Sequence, residues 1–306
     1  MLGAIFGFIL GFLLSILLAV LAFFGLSSAS LDTGDWSSFD SGTVVEEASI
    51  APLLVDPYWV NSESAFNSNL VIADVATVSD FEAGHIPGAV RIDPSSISIS
   101  STEDIDWQSS AETLLEDAGI SVESTVVIYD RGTQYAAPFW WTMTRLGHGS
   151  VAVLDGGFSA WESAGWPVET GPSTAAIEVT FYFGWLDQSL VASTSDVEAA
   201  IDDPTIVIVD VRTAAEYATS HIPGAVNVPV LDLFAADGTL LPMPELEAVF
   251  EAAGVTPDME IIVYCQTGIR ASNGVFALNV LGYPDVKLYA DSWSGWSSDP
   301  THPVEP

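Results

Sequence analysis

Short apolar runs rich in β-branched residues alternate with helix-like stretches along the chain after its first 50 residues. In the second half this pattern predicts strands over residues 205–211 and Glu260–Tyr264. It also predicts helices over residues 213–219, 245–253 and 271–281. Strands that alternate with helices usually pair in parallel. The chain is therefore predicted to be an α/β protein in which helices cover both faces of a central sheet.

The first 24 residues are almost wholly apolar and contain no charged side chain. As a helix they would rise about 36 Å, which is enough to cross a hydrocarbon core of about 30 Å. We therefore predict an N-terminal apolar helix over residues 1–27 that is either a transmembrane anchor or a signal segment. The second alternative arises because Ser27-Ser28-Ala29 resembles a cleavage site. If the segment stays uncleaved, the membrane is a partner through residues 1–24.

An acidic and polar linker follows over residues 28–48 and contains no Lys or Arg. The cytoplasmic flanks of membrane segments usually carry an excess of these cations. We therefore expect the rest of the chain to be extracytoplasmic, either anchored to a membrane or secreted.

One sequence unit occurs twice in the body of the chain, with a shift of about 135 residues. The matched pieces are Asp74-Val75 with Asp210-Val211, residues 84–90 with 220–226, residues 126–129 with 261–264, Leu146-Gly147 with Leu281-Gly282, and Trp161 with Trp296. Agreement in both order and spacing predicts a duplicated domain, over residues 49–170 and 189–306. Residues 171–188 would connect the two copies, and because this connection includes the aromatic residues of 181–185 we expect it to pack across the seam between them.

Cys265 is the only cysteine of the sequence and follows the apolar run Ile261-Ile262-Val263-Tyr264. The predicted strand, loop and helix place its thiol at the carboxyl end of a central strand, where open α/β sheets bind ligands. Backbone N–H groups of the loop and of the helix start can converge there on a negative charge, which favours the nucleophilic thiolate. The alternative is a buried structural cysteine that acts as a small apolar side chain.

The chain carries 41 Asp and Glu side chains against 6 Lys and Arg, a formal net charge of -35. Nucleic acid is a poor partner for such a surface, and we expect none, because phosphate binding needs clustered cations. A hydrophobic fraction of 49% is enough for packed cores, and a single cysteine allows no intrachain disulfide. The 4 His and the lone Cys show no ligand spacing, so we expect neither a metal nor another cofactor.

An ordered set of motifs runs through both copies of the repeat. They are Asp210-Val211-Arg212, residues 221–225, the loop over residues 265–270 and residues 289–296, with Trp140-Trp141, Gly147-His148 and residues 153–158 in the first copy. Over roughly residues 49–306 this set resembles the rhodanese family, specifically the tandem-domain thiosulfate/3-mercaptopyruvate sulfurtransferases. The resemblance implies two tandem rhodanese-like domains, each a central parallel sheet flanked by helices.

The resemblance implies that only the second domain carries the reactive cysteine. Asp130 stands at the position that matches Cys265, and Ala76 stands at the position that matches Arg212. We therefore expect the first domain to have lost both the nucleophile and the cation, and to act as a structural wall of the cleft.

The resemblance also implies a two-step transfer of sulfur in which Cys265 is the catalytic residue. Its thiolate would take a sulfane sulfur from a small anionic donor, thiosulfate or 3-mercaptopyruvate, and hold it as a persulfide. The acceptor would be cyanide, a small thiol or a protein thiol. The residues expected to bind the donor are Arg212, Arg270, Gln266, Thr267, Gly268 and Ile269. The loop matches neither the thiosulfate-preferring nor the mercaptopyruvate-preferring pattern in full, which leaves the donor open.

The charged candidates for the site also have structural interpretations. Arg212 could form an ion pair with Glu216, and Arg270 could cap its helix or join a surface ion pair. His221 and His85 occupy the same motif in both copies, and this favours a structural turn over a role as general base.

Two other functions are compatible with the sequence. A cysteine-dependent phosphatase or arsenate reductase uses the pattern Cys-x5-Arg, whereas Arg270 follows Cys265 after four intervening residues. A non-enzymatic, surface-tethered sulfur-binding or adaptor module would hold sulfur without turnover.

The acidic surface predicts adaptation to high salt, because the range of repulsion between like charges falls to about 3 Å at 1 M salt. We expect the free energy of unfolding, measured by urea titration, to rise steeply as NaCl is added. A flat response to salt would contradict the halophilic interpretation and would favour an acidic secreted protein of ordinary medium.

Overall fold

The computed structural model describes residues 52–100, 105–178 and 180–306. The predicted apolar helix over residues 1–27 and the linker over residues 28–48 lie outside the described residues. Among the described helices, none combines the length and the apolar character that a membrane crossing requires.

The first copy of the repeat folds into a sheet of five parallel strands that are connected by helices. Its strands are β1 (Leu54–Val55), β2 (Leu70–Val75), β3 (Val90–Ile92), β4 (Thr125–Tyr129) and β5 (Val151–Leu154). Its helices are α1 (Pro57–Phe66), α2 (Val78–Ala83), α3 (Ile105–Asp117), α4 (Ala136–Arg145) and α5 (Gly157–Ser163), with a 3-10 turn at Pro94–Ser96. The strand order is β1-β5-β4-β2-β3, and every pairing is parallel.

The second copy repeats this architecture. Its strands are β6 (Val191–Ala192), β7 (Ile206–Asp210), β8 (Val226–Asn227), β9 (Glu260–Tyr264) and β10 (Val286–Tyr289). Its helices are α6 (Thr194–Ala200), α7 (Ala214–Thr219), α8 (Met243–Ala252), α9 (Ile269–Val280) and α10 (Ser292–Trp296), with 3-10 turns at Gln188–Leu190 and Val230–Leu233. The order β6-β10-β9-β7-β8 is that of the first sheet, which confirms the predicted duplication. Both copies lie within one unit, Ile50–Pro306.

The predicted elements of the second copy are confirmed, with differences at their ends. The strand Glu260–Tyr264 has the predicted bounds, and β7 is one residue shorter than predicted at each end. Thr213 does not open a helix but caps α7, because its side chain accepts a hydrogen bond from Glu216 N. Helix α8 begins after Pro242, two residues before the predicted start. Helix α9 also begins two residues early, because the loop ends where Gly268 adopts a left-handed conformation.

Apolar side chains fill three clusters, one of which is shared by both copies. Two clusters each belong to a single copy. The third contains side chains from α4 of the first copy and α9 of the second. There the rings of Trp140 and Phe276 meet edge to face, with centroids 5.0 Å apart. Asn273 Nδ2 also donates a hydrogen bond to the backbone oxygen of Gln134, 3.1 Å away. The two copies therefore pack directly against each other through α4 and α9.

The connection between the copies is held to the first copy. Tyr182 is buried, and its N–H donates to Glu116 Oε1 of α3 at 2.9 Å. Its neighbours Phe181, Phe183 and Trp185 are 71%, 80% and 86% exposed. The connection therefore joins the apolar cluster shared by both copies through Tyr182, whereas its other three aromatic side chains do not pack across the seam. In an extended segment successive side chains point to opposite sides, so burial of Tyr182 turns its neighbours towards solvent.

Phe276→Ala tests the shared apolar cluster. Phe276 is 5% exposed, so its truncation removes buried contacts and leaves a cavity. We expect the free energy of unfolding to fall by about 3–5 kcal/mol in a urea titration at fixed salt. Phe66→Ala is the control, because Phe66 is 88% exposed. It should change that free energy by less than about 0.5 kcal/mol. A loss for Phe276→Ala no larger than that of the control would contradict the shared cluster.

Candidate active site

Cys265 directly follows β9, which lies between β10 and β7 in the second sheet. Parallel strands end at a common edge, so the thiol stands at the carboxyl edge of the sheet, as the sequence predicts. The residue is 1% exposed, and Sγ accepts a hydrogen bond from Gly268 N at 3.2 Å. Burial alone also fits a structural cysteine. The amide hydrogen of Gly268 aimed at Sγ shows that a loop N–H group converges on the sulfur.

Helix α10 supports the loop that begins at Cys265. Cys265 N donates to Ser292 Oγ at 3.2 Å, and Trp293 N donates to the Cys265 carbonyl at 3.0 Å. Ser294 N donates to the Gln266 carbonyl at 3.1 Å, and Gln266 Nε2 donates to Ser294 Oγ at 2.9 Å. The side chain of Gln266 is therefore part of the scaffold. The sequence does not single out Ser292 and Ser294, although both lie in a motif that resembles the family.

Gly268 is the loop residue against which a side chain of the first copy packs. Its φ of 92° lies in the left-handed region that favours glycine. A Cβ atom at this position would lie 2.7 Å from Ile99 Cγ2 and 3.3 Å from the Ala290 carbonyl oxygen. Ile99 belongs to the first copy, and nothing in the sequence marks it, because this contact depends on how the copies pack. On either side of Gly268, Thr267 is exposed and Ile269 is half-buried.

Arg270 lies in the first turn of α9 and forms a bidentate ion pair with Glu216. Its two terminal nitrogens donate to the two carboxylate oxygens of Glu216, each at 2.8 Å. These bonds raise the pKa of Arg270. The bonds from Arg270, together with those from Thr213, lower the pKa of Glu216 to about 2. Arg270 therefore follows the Cys265 loop with both its terminal nitrogens engaged by Glu216.

Arg212 is buried and bound to Asp210, so the alternative ion pair with Glu216 is wrong. Its Nε and Nη2 donate to Asp210 Oδ2 at 2.9 Å and 2.6 Å. Nη2 also donates to the Ser220 carbonyl at 2.8 Å, and the guanidinium lies 4.6 Å from the ring centre of Trp293. Only 2% of Arg212 is exposed. These bonds give Arg212 a structural role in the site, and its expected role in donor binding stays a prediction.

The first copy builds the same buried ion pair from a different position in the chain. Asp74 matches Asp210, but Ala76 stands where the second copy has its arginine. Arg131 supplies the guanidinium instead, and its Nη2 donates to Asp74 Oδ2 and to the Gly84 carbonyl, both at 2.6 Å. The expectation that the first copy has lost the cation is therefore wrong. The first copy has no cysteine, and its Arg131 still binds the buried Asp74. A guanidinium at this place therefore supports the fold.

In the first copy, backbone amides of the loop bind the carboxylate of Asp130, the residue that matches Cys265 in the second copy. Asp130 matches Cys265, and its Oδ1 accepts a hydrogen bond from Gly132 N at 2.8 Å. Its Oδ2 accepts hydrogen bonds from Tyr135 N at 2.7 Å and from Ala136 N at 3.0 Å. Three backbone amides therefore converge on one anion. The repeat shows that a loop at this edge of the sheet can bind negative charge.

Comparisons with known proteins assign the family. The domain described as "Rhodanese-like domain" matches residues 57–164 and 193–299, one match in each copy. The chain belongs to the rhodanese family. These matches and the two parallel sheets confirm the expected fold class of two tandem rhodanese-like domains. The matches fall inside the predicted domains over residues 49–170 and 189–306, whose ends stay predictions.

Several curated relatives of this rhodanese chain are named as sulfurtransferases. The 3-mercaptopyruvate sulfurtransferase of Escherichia coli (strain K12) is 32% identical over 248 residues, which cover 76% of this chain and 87% of the relative. The thiosulfate sulfurtransferase of Pseudomonas aeruginosa is 28% identical over 281 residues, which cover 87% of this chain and 98% of the relative. The sulfur carrier protein TtuD of Thermus thermophilus is 32% identical over 271 residues, which cover 80% of this chain and 94% of the relative.

Solved structures share the rhodanese fold of this chain. The crystal structure of YnjE is similar with a TM-score of 0.74 and 25% identity, over 82% of this chain and 68% of that chain. The wild-type structure of EanB is similar with a TM-score of 0.74 and 23% identity, over 83% of this chain and 69% of that chain. At these identities the likeness concerns the fold and not the substrate.

The His-Ile-Pro-Gly-Ala motif forms the same turn in both rhodanese domains. His221 Nδ1 lies 3.0 Å from the Tyr217 carbonyl oxygen, and the two rings stack with centroids 3.8 Å apart. His85 repeats both contacts with Phe81, at 2.9 Å and 3.8 Å. Because the domain without a cysteine has the same turn, these contacts support a structural role. Within the described ranges no group of three or more His, Cys, Asp or Glu side chains could hold a metal ion.

Arg212→Met tests the structural assignment in the second rhodanese domain. The variant leaves the buried carboxylate of Asp210 without its partner. We therefore expect the free energy of unfolding to fall by about 3–5 kcal/mol in a urea titration. Arg91→Met is the control, because the ion pair of Arg91 with Asp93 is partly exposed and such pairs contribute about 0–1 kcal/mol. If the variant keeps its stability but has a raised KM for the sulfur donor, the structural role is contradicted and Arg212 binds the donor.

Proposed function

We propose that the chain is a sulfurtransferase that carries sulfane sulfur as a persulfide on Cys265. The main support is the position of this thiol, at the start of a loop whose counterpart in the first domain holds a carboxylate on three backbone amides. The amide of Gly268 donates to Sγ in the same region. The names of the curated relatives, which include 3-mercaptopyruvate and thiosulfate sulfurtransferases, support the same activity.

The first half-reaction transfers sulfur from the donor to the enzyme. The Cys265 thiolate attacks the outer sulfur of thiosulfate, the sulfur–sulfur bond breaks, and sulfite leaves with the bonding electrons. With 3-mercaptopyruvate the bond that breaks joins carbon to sulfur, and the enolate that leaves takes a proton to become pyruvate. Both donors are small anions. With either donor, the half-reaction ends with Cys265 in the persulfide form.

The second half-reaction removes the sulfur from the enzyme. A thiophilic acceptor, which is cyanide, a small thiol or a protein thiol, attacks the outer sulfur of the persulfide. The electrons of the sulfur–sulfur bond return to Cys265, which becomes a thiolate again. Because Cys265 is the only cysteine of the sequence, no second thiol of this chain can take the sulfur. The acceptor is therefore a separate molecule.

The loop amides are suited to stabilise charge on the outer sulfur. In a persulfide, as in an aspartate side chain, the charged atom lies one bond beyond the atom attached to Cβ. The charged oxygens of Asp130 bind three amides within the next six residues of the first domain. By sequence position, the matching amides of the second domain are those of Thr267, Arg270 and Ala271. We assign to these three N–H groups the stabilisation of the persulfide.

A phosphatase or arsenate reductase has weaker support. Such an enzyme wraps its loop around a tetrahedral oxyanion and needs an arginine that is free to bind it. Both terminal nitrogens of Arg270 bind Glu216 instead. The spacing between Cys265 and Arg270 is also one residue shorter than the pattern of those enzymes.

The proposal includes where the enzyme works. The apolar run over residues 1–24 and the linker without Lys or Arg over residues 28–48 support an extracytoplasmic enzyme that is membrane-anchored or secreted. The excess of 41 acidic over 6 basic side chains supports a saline medium.

Cys265→Ser tests the persulfide directly. After treatment with thiosulfate or 3-mercaptopyruvate, we expect the intact mass of the native protein to rise by one sulfur atom. The mass should return to its starting value when cyanide is added, with formation of thiocyanate. Cys265→Ser should gain no sulfur and form no thiocyanate, because the nucleophile is missing.

Cys265→Asp is the matched folding control, because it copies the arrangement around Asp130 in the first domain. This variant should also be inactive. Its free energy of unfolding should equal or exceed that of Cys265→Ser, since the loop amides gain a carboxylate acceptor. Sulfur that is still transferred by Cys265→Ser would contradict the site. A native protein that gains no sulfur at any salt concentration would contradict the enzyme and favour the adaptor module.

A further inference from the structure

Glu216 links the cap of helix α7 to Arg270, which lies in the first turn of the helix after the Cys265 loop. Its Oε2 accepts hydrogen bonds from Thr213 N at 3.0 Å and from Thr213 Oγ1 at 2.7 Å, which belong to a capping box. The same carboxylate accepts both bonds from Arg270, each at 2.8 Å. Its pKa of about 2 keeps Glu216 ionised at neutral pH. We call the surface of Arg270 and Glu216 the mouth; there 26% of the Arg270 side chain and 35% of the Glu216 side chain are exposed.

The first domain has a similar cap, without the bond from the capping backbone N–H and without the arginine. Thr77 and Asp80 form it, with Thr77 Oγ1 donating to Asp80 Oδ2 at 2.7 Å. Tyr135 stands at the position that matches Arg270. A carboxylate that caps this helix therefore needs no arginine partner. The ion pair with Glu216 is an addition that occurs in the domain that carries the thiol.

The ion pair cancels the charge that Arg270 would otherwise present to a donor. Arg270 lies five residues after Cys265, in the first turn of α9, and Nη2 of Arg212 is bound to Asp210. Each of these two guanidinium groups is thus matched by a carboxylate, and the mouth carries little net positive charge. Because Coulomb energy scales with the product of the charges, this loss of attraction is about twice as large for a dianion as for a monoanion.

We propose that Glu216 sets the donor preference of the enzyme by cancelling the charge of Arg270, so that a monoanionic donor is favoured over a dianionic one. Thiosulfate is a dianion, and 3-mercaptopyruvate with a protonated thiol is a monoanion. Glu216 acts through Arg270 and is therefore a positioning residue. The inference rests on the proposed sulfur transfer and adds to it the charge class of the donor.

Glu216→Gln removes the charge and keeps a side chain that can cap α7. Both donors are assayed with cyanide as acceptor, from the lowest salt concentration at which the native protein stays folded. There we expect kcat/KM for thiosulfate to rise relative to that for 3-mercaptopyruvate by about three- to tenfold, mainly through a lower KM for thiosulfate. Because salt screens exposed charges, the change should shrink as the salt concentration increases.

Asp80→Asn is the matched control, because it neutralises the corresponding capping carboxylate in the domain that has no cysteine. Its ratio of kcat/KM values for the two donors should equal that of the native protein. Glu216→Asp keeps the negative charge and is a second variant. It should also keep the native ratio, even where the shorter side chain lowers stability.

The outcomes separate this inference from the proposed function. An unchanged donor ratio in Glu216→Gln would overturn the inference and leave sulfur transfer intact. An equal loss of activity with both donors would also overturn it, because Glu216 would then only hold Arg270 or α7 in place. If the native protein transfers sulfur from neither donor, the proposed function fails and the inference falls with it.

Discussion

The site depends on a carboxylate that each domain buries near the carboxyl end of a central strand. Asp74 and Asp210 are both fully buried, and a buried carboxylate is stable only when a partner replaces the water it has lost. Arg212 donates three side-chain hydrogen bonds to Asp210 from two residues further along. Arg131 donates one to Asp74 from the loop after β4. Burial outweighs this weaker compensation and raises the pKa of Asp74 to about 7.

The position in the chain of the arginine that binds the buried aspartate differs between the domains, and with it the residues of the neighbouring loop. In the first domain, Arg131 binds the buried Asp74, and the loop amides donate hydrogen bonds to the carboxylate of Asp130. In the second domain, Arg212, two residues after Asp210, neutralises the charge of that buried aspartate. The loop position that matches Arg131 holds the uncharged Gln266. The thiol of Cys265 then takes the place of the carboxylate. One fold thus supports a loop that is filled by its own carboxylate and a loop that presents a thiol.

The sequence predicts the features of this arrangement that depend on local pattern. The alternation of strands and helices, the repeat and the position of Cys265 after β9 all follow from neighbouring residues, and the structure confirms them. The ion pairs do not follow in this way, because Arg131 and Glu216 have partners 57 and 54 residues away. Ile99 likewise meets Gly268 across the two domains. The alternative pair of Arg212 with Glu216 does not form, because the buried Asp210 needs Arg212 more strongly than the partly exposed Glu216 does.

Positive charge is scarce in this chain, and the structure shows where each of the 6 Lys and Arg side chains is used. Those that form ion pairs of 3.2 Å or less are Arg91, Arg131, Arg212, Arg270 and Lys287. Arg145 is buried over the rings of Trp107 and Trp141. A donor anion that approaches a net charge of -35 therefore meets repulsion, whose range falls from about 10 Å at 0.1 M salt to about 3 Å at 1 M. At that range only the charges nearest to the anion act on it, and the partly exposed pair of Arg270 and Glu216 lies directly after the Cys265 loop.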